Sequence, residues 1–495
     1  MKRTTRNWLI LLICALAFLA TAAVSYFAFE GLPHLEDEVA YLFQARTLAM
    51  GRLTVPSPAY PEAFWTPFVL DHAGQRFGKY PPGWPAVLAL GELATGGKGS
   101  WLVNPLLAAM ALYLVYRLGQ TLYDERIGLL AAALGLTSPL FLVLSGSYLS
   151  HTVSLVWLLL FSLWFVWTAQ GGRSRWFAVG AGLALGAAFL TRSLTAAAYA
   201  APFVAYSMVQ IVRREQRHWP NYLVVALTGG AMAVLLPAYQ WAVTGDPWLN
   251  PYTLWWPYDR IGFGPGIGAM PGGHSPFYAW VNLKQDLSRA ATDVLGWPAL
   301  SWVPLLLGLA LRPRRARDWS LLAPFACLVV AYLFYWIGSP ARLWGPRYYF
   351  EGFGALWLLG AVGLVKAWDW AREKQQWVRP ALAGLVALLV AANLATNLPS
   401  RMGEAHGFYG ITRAQFEPIE EADLHNALVI VYADRWLEYG ALLAGMSPTL
   451  DDDVVYARGS GAEIDAAVIA EYPGRTVYYM IEGELSPGET RTDSE

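Results

Sequence analysis

Charge is scarce in this sequence. Of its 495 residues only 14% are Asp, Glu, Lys or Arg, against 56% hydrophobic, and the mean hydropathy is +0.35, a balance that excludes an ordinary soluble enzyme. Cysteine is nearly missing: Cys14 and Cys327 both lie in apolar runs, so a metal knuckle is excluded and the two pack as small apolar residues. No Walker lysine motif, His-Glu-x-x-His helix or nucleophile elbow is present, which leaves ATPase, zincin and serine hydrolase readings without support. The glycine-rich run Gly262 to Gly268 has no strand before it and no helix after it, so it lacks the anion-binding geometry of a nucleotide loop; it reads as flexible covering over a site. A fixed-period repeat is also absent, which counts against transporter folds built from duplicated halves.

What the chain does have is hydrophobic runs. A helix needs about 20 mostly apolar residues to cross the hydrocarbon core. Windows near 8–29, 100–121, 128–146, 150–169, 176–191, 194–212, 220–243, 297–311, 319–337, 349–366 and 380–398 meet that measure, giving about eleven crossings of a multi-pass cell-membrane protein. The first window can alternatively be read as a cleaved signal with Ala20–Ala23 as its small-residue site, but the apolar stretch runs on to Phe29, which favours an uncleaved span.

Basic residues set the orientation, because short cytoplasmic loops are enriched in Lys and Arg. With the N-terminus inside, Lys2, Arg3 and Arg6, Arg117 and Arg126, Arg173 and Arg175, Arg213, Arg214 and Arg217, Arg312 to Arg317, and Lys366 to Arg379 all fall on the cytoplasmic side. Residues 31–99, 244–296 and 338–348, and everything after 398, then lie outside. Residues 399–495 carry 18 acids against 6 bases, which argues against nucleic acid as a partner. In that tail Leu428 to Tyr432 and Thr476 to Met480 have strand character and Ala462 to Glu471 helical spacing. The fold expected is therefore an all-α polytopic membrane domain (1–398) with surface helices in its first outer loop, followed by a small α/β extracytoplasmic domain (399–495).

Chemistry is sought at the outer face. Pro33 stops the first span, and Glu36-Asp37-Glu38 opens an amphipathic run to Met50 that predicts a helix lying on the membrane surface. Adjacent helical residues project about 100° apart, so Asp37 and Glu38 cannot both face one site. The acids equally suit a helix N-terminus, where negative charge complements the dipole. Further on, Pro81 and Pro82 hold Tyr80 and its neighbour extended and keep Lys79 beside the membrane, as suits either a lipid phosphate or a snorkelling side chain. Arg192, in the tight turn between the fifth and sixth windows, and Arg347, in Gly345-Pro346-Arg347-Tyr348-Tyr349, suit an anionic ligand or ion pairs with Glu351 or Asp259. Tyr80, His151, Tyr348 and Trp84 are candidate substrate contacts, and Trp65, Trp255 and Trp256 further rings able to stack on a sugar.

This ordered combination resembles the GT-C glycosyltransferases, in particular the protein-mannosyltransferase-like and aminoarabinose-transferase-like membrane enzymes, over roughly residues 5–400. It comprises an N-in first span, an Asp-Glu pair in the first outer loop, surface helices, Lys79-Tyr80-Pro81-Pro82 before the next hydrophobic block, and a folded outer tail. The resemblance implies transfer of a sugar from a polyprenyl-phosphate donor to an acceptor protein, lipid or glycan at the outer face, with Asp37 as catalytic carboxylate, Glu38 as its motif neighbour, and Lys79 at the lipid phosphate beside Arg347 or Arg192. Some relatives carry a second acid in the outer turn between the third and fourth spans. Here that turn reads Ser147-Tyr148-Leu149-Ser150-His151, which puts a divalent metal in doubt, and no other cofactor is implied. The rival readings are a lipid-linked oligosaccharide flippase, which should carry charges at mid-helix, and an O-antigen-type ligase or polymerase, whose main loop should come late in the chain.

Overall fold

The computed structural model describes residues 3–171, 175–213, 219–339 and 341–488, with side chains from residue 7 onward. Of the basic residues expected on the inner side, Lys2, Arg173, Arg214 and Arg217, and the side chains of Arg3 and Arg6, lie outside the described set. All eleven apolar windows fall on helices. Among the described residues, however, seven helices are long and apolar enough to cross a membrane, or eight if Glu125–Leu136 and Pro139–Gly146, which meet at 67°, form one broken span. Arg175–Thr191, Trp302–Ala310 and Ala316–Tyr332 are 17, 9 and 17 residues long, below the about 20 residues of a typical crossing.

Local sequence explains the breaks. Asp124 starts the helix at Glu125 by accepting from the N–H groups of Arg126 and Ile127, and Ser138 with Pro139 starts the next one. Helices Val103–Leu122 and Glu125–Leu136 cross at Gly119 and Gly128, where a Cβ on Gly119 would stand 2.6 Å from Gly128 Cα. Backbones approach this closely only where the side chains are missing. Helix Phe353–Arg372 runs through the middle, with Phe353, Leu356, Trp357, Leu358 and Leu359 fully buried. The helix from Val378 passes through a π-turn at Asn393–Asn397 and continues as Leu398–Ala405, across residue 398.

The segment expected as the first outer loop is a folded layer. Strands β1 (Val55–Pro56), β2 (Val69–His72) and β3 (Gln75–Gly78) form an antiparallel sheet in the order β1-β3-β2. Its hairpin turns at Ala73-Gly74, both at positive φ, as a two-residue loop between twisted strands requires. The ladder ends with Lys79 N–H donating to Phe68 O at 3.0 Å, so the hairpin delivers Phe68 and Lys79 side by side. The helix expected over 36–50 spans Glu36–Ala49, and protein covers most of its circumference: Val39, Ala40, Tyr41, Leu42, Gln44, Ala45 and Thr47 are all buried.

Strands β4 (Ala427–Tyr432), β5 (Val454–Arg458), β6 (Thr476–Ile481) and β7 (Glu484–Pro487) form a sheet ordered β5-β4-β6-β7, parallel except for β7. Its buried face, with Leu428, Ile430, Val455 and Ala457, packs with Ala63 and Phe64 of the first loop. His34 Nε2 to Ile411 O (3.0 Å) and Arg46 Nη1 to Met446 O (3.0 Å) tie the same two layers. The glycine run 262–268 is pinned here too. Gly262, Gly264 and Gly268 donate to Phe334 O, His274 O and Tyr258 O, because glycines at positive φ turn their N–H groups inward; it is a bonded turn, where the sequence suggested flexible covering.

Candidate active site

The two acids at the start of helix Glu36–Ala49 part company. Glu38 turns inward and is 1% exposed. Its Oε2 accepts from His34 N (2.6 Å) and Leu35 N (3.1 Å), and its Oε1 from Tyr148 N (2.8 Å). It therefore closes the helix start and pins the turn 147–150 against it. Burial pushes the carboxyl up to about 7 against the pull of these N–H groups. Asp37 faces the other way and lines a cavity of about 470 Å³. Tyr80 OH donates to its Oδ1 at 2.7 Å, fixing the rotamer and leaving Oδ2 without that bond.

Lys79, Tyr80, His151, Arg192, Arg347 and Tyr348 line the same cavity, so seven of the nine candidate site residues meet there. Two do not, and both readings are corrected. Glu38 is spent on three backbone donors, and the cavity is not among its neighbours. Trp84 is 1% exposed because its indole N–H donates to Tyr148 O at 2.7 Å; it buttresses the turn and offers no face to a sugar. Trp256 reaches the cavity, whereas Trp65 and Trp255 do not line it.

The cations differ in how they are held. Arg192 makes a 2.9 Å ion pair with buried Glu351 and donates to Tyr332 OH and Thr195 Oγ1. Arg347 is buried, and among the described residues its Nε and Nη1 have no hydrogen-bond partner; only Nη2 reaches Tyr348 OH, at 3.4 Å. A buried guanidinium with bare donors is costly unless an anion completes it. Lys79 Nζ sits 3.3 Å over the Phe68 ring, 4.6 Å from Trp256 and 5.2 Å from both Tyr80 and Tyr252. This aromatic cage desolvates the amine and lowers it to about 8, although Asp37, Asp259 and Glu36 draw it back up. His151 is buried with both ring nitrogens unpartnered, a polar group at the cavity wall waiting for a contact. Glu36 also lines the cavity, its carboxyl raised by burial first and Asp37 second.

Sequence reasoning missed the cage. Phe68 and the pair Tyr252 and Trp256 come from two segments far apart in the chain, and the signal was the crowding of aromatics in Tyr252 to Tyr258. Among the described residues no group of three His, Cys, Asp or Glu is placed to hold a metal ion.

A family model described as dolichyl-phosphate-mannose-protein mannosyltransferase matches residues 79–241, about a third of the chain, starting at the caged lysine. No curated protein matches the sequence. Among solved structures, ArnT from Cupriavidus metallidurans bound to undecaprenyl phosphate aligns at a TM-score of 0.60 and 14% identity, over 96% of this chain and 93% of that one. The Archaeoglobus fulgidus oligosaccharyltransferase tethered to an acceptor peptide aligns at 0.56 and 13%, over 89% and 63%. The archaeal oligosaccharyltransferase AglB from the same organism, in complex with an inhibitory peptide and a dolichol-phosphate, aligns at 0.52 and 13%, over 100% and 75%.

Proposed function

The chain has the fold of the GT-C membrane glycosyltransferases, and on that fold we propose that it transfers a sugar from a polyprenyl-phosphate donor to an acceptor hydroxyl at the outer face of the membrane. One observation carries the reading: a carboxylate fixed by Tyr80 shares one cavity with a caged lysine and an arginine that has two bare donors. A base for the acceptor and cations for a phosphate are what this reaction needs at opposite ends of the bond being exchanged.

In a single displacement the acceptor oxygen attacks the anomeric carbon as its proton passes to Asp37 Oδ2. The bond from that carbon to the phosphate oxygen breaks, and the configuration inverts. The electron pair leaves with the polyprenyl phosphate, already a stable anion that needs no proton. Arg347 and Lys79 stabilise the charge it gains, while Arg192, tied to Glu351, holds the wall beside them. The same reading places the N-terminus in the cytoplasm and residues 399–495 outside as a separate domain. It completes about eleven crossings by counting the bent pair and the three shorter helices with the long ones; the basic residues at the expected inner turns support it.

The test uses the purified full chain, a radiolabelled polyprenyl-phosphate sugar and a membrane extract supplying acceptors. Label moves into the acceptor fraction, and Asp37→Asn slows this about 10²- to 10⁴-fold while the donor still binds. Full transfer by Asp37→Asn removes the base from the mechanism. Movement of intact donor across vesicles without transfer makes the protein a transporter instead.

A further inference from the structure

Besides Glu36, one carboxylate in the cavity has no part in that displacement. Asp259 lines it, is 7% exposed, and forms no ion pair among the described residues. Trp336 Nε1 (3.0 Å) and Tyr335 OH (3.3 Å) both donate to its Oδ1; Oδ2 accepts neither. The backbone around it is clamped. Asp259 N donates to Trp256 O, Gly262 N to Phe334 O, and Ile261 pairs with Tyr335, so the backbone beneath the carboxylate is held while Trp336 and Tyr335 orient its Oδ1. Rings stand beside it: Trp256 and Tyr258 are stacked 5.9 Å apart, and Trp336 meets Tyr258 edge-on at 5.5 Å.

We propose that Asp259 recognises the donor sugar, its Oδ2 accepting hydrogen bonds from hydroxyl or ammonium groups on the ring while the neighbouring aromatic rings cover the ring's C–H face. A residue that only tied the 251–262 loop to the 332–337 segment would spend both oxygens on protein donors. Here one is spent and the other accepts neither bond at the cavity wall, which suits a ligand rich in donors. The phosphate of the same donor goes to the opposite kind of group, Arg347 and Lys79, so the two ends of the molecule are sorted by charge. This rests on the donor reading above.

The experiment compares binding of sugar-bearing and bare polyprenyl phosphate to the full chain in detergent, for the wild type and for Asp259→Asn. Asn keeps an oxygen for Trp336 and Tyr335 but puts an amide N–H₂ where Oδ2 was. The wild type prefers the sugar-bearing lipid; Asp259→Asn loses about 10- to 100-fold of that preference, the worth of hydrogen bonds to a charged acceptor, and keeps the bare lipid's affinity. A neutral-hexose arm and an amino-sugar arm separate the sources, the amino sugar suffering more if an ammonium is the partner. Equal weakening for both lipids makes Asp259 a structural tie and overturns the proposal, as does an unchanged preference. A wild type that binds neither lipid overturns the donor reading itself, and this one with it.

Discussion

Lys79 is charged only as long as solvent or a carboxylate compensates the cage, and this makes the site sensitive to pH on the alkaline side. The free amine titrates at about 8, down from 10.5, because burial outweighs the attraction of Asp37, Asp259 and Glu36. As pH rises through 8 the cation disappears and, on the proposed function, the donor phosphate loses a partner. The ratio kcat/KM, which reports the free enzyme, therefore falls above pH 8, and Lys79→Arg holds it level to about pH 10 because guanidinium stays charged. Lys79's own effect on stability runs the other way. Between about 8 and 10.5 the unfolded chain binds the proton that the folded chain has released, so this residue's contribution to stability rises with pH across that window. Alkaline loss of activity without a falling melting temperature is the expected signature, and a flat wild-type profile would count against the cage.

At the scale of elements, the start of helix Glu36–Ala49 and the turn 147–150 are one unit, joined by Glu38, Trp84 and the Asn104 amide, which donates to Ser147 O and Leu149 O. Glu38→Gln keeps one acceptor but turns an N–H₂ toward a backbone N–H, at a cost of about 1–3 kcal/mol, read as a lower melting temperature in detergent. Gly128→Leu drives a side chain into Tyr116 O at the helix crossing; overpacking of this kind costs about 1–3 kcal/mol, and Gly128→Ala should cost less. These elements divide what the sequence told from what it hid. Asp37 and Lys79 were legible because their chemistry is local, an acid at a helix start and an amine before two prolines. Glu38's link to the turn and Trp84's burial were not, since each rests on the backbone of Tyr148, 110 and 64 residues away. The aromatic cage was hidden by composition: with 24 tryptophans and 26 tyrosines, no single ring stands out. Helix positions were read from apolar runs, but runs do not report the bend at Thr137-Ser138 or the shortness of Trp302–Ala310, which packing sets.

The whole molecule joins its two halves by buried charge as well as by the seam of Phe64 with β4 and β5. Arg401, in the helix that leads to the C-terminal sheet, is 3% exposed; its Nη2 donates to Asp293 Oδ1 at 2.6 Å and its Nη1 to the carbonyl of Arg342. Gly345 fits against Asp293 Oδ2 with no room for a Cβ, and Arg347 follows two residues later. The pair thus holds the approach to Arg347 between helix Pro276–Asp293 and helix Leu398–Ala405. Breaking it from one side leaves Asp293 buried and uncompensated, which costs about 3–5 kcal/mol, whereas replacing both partners by apolar groups of similar volume is near neutral. Arg401→Met should therefore lower the melting temperature sharply and weaken donor binding. Arg401→Met with Asp293→Leu should recover most of the melting temperature while donor binding stays weak, because the hydrogen bond that positions Arg342 is gone in both. Tryptophan fluorescence on heating and lipid-phosphate binding read the two effects separately. A double variant that restores both would show that the pair stabilises the fold without setting the position of Arg347, and a single variant with wild-type stability would show that the pair does not join the halves.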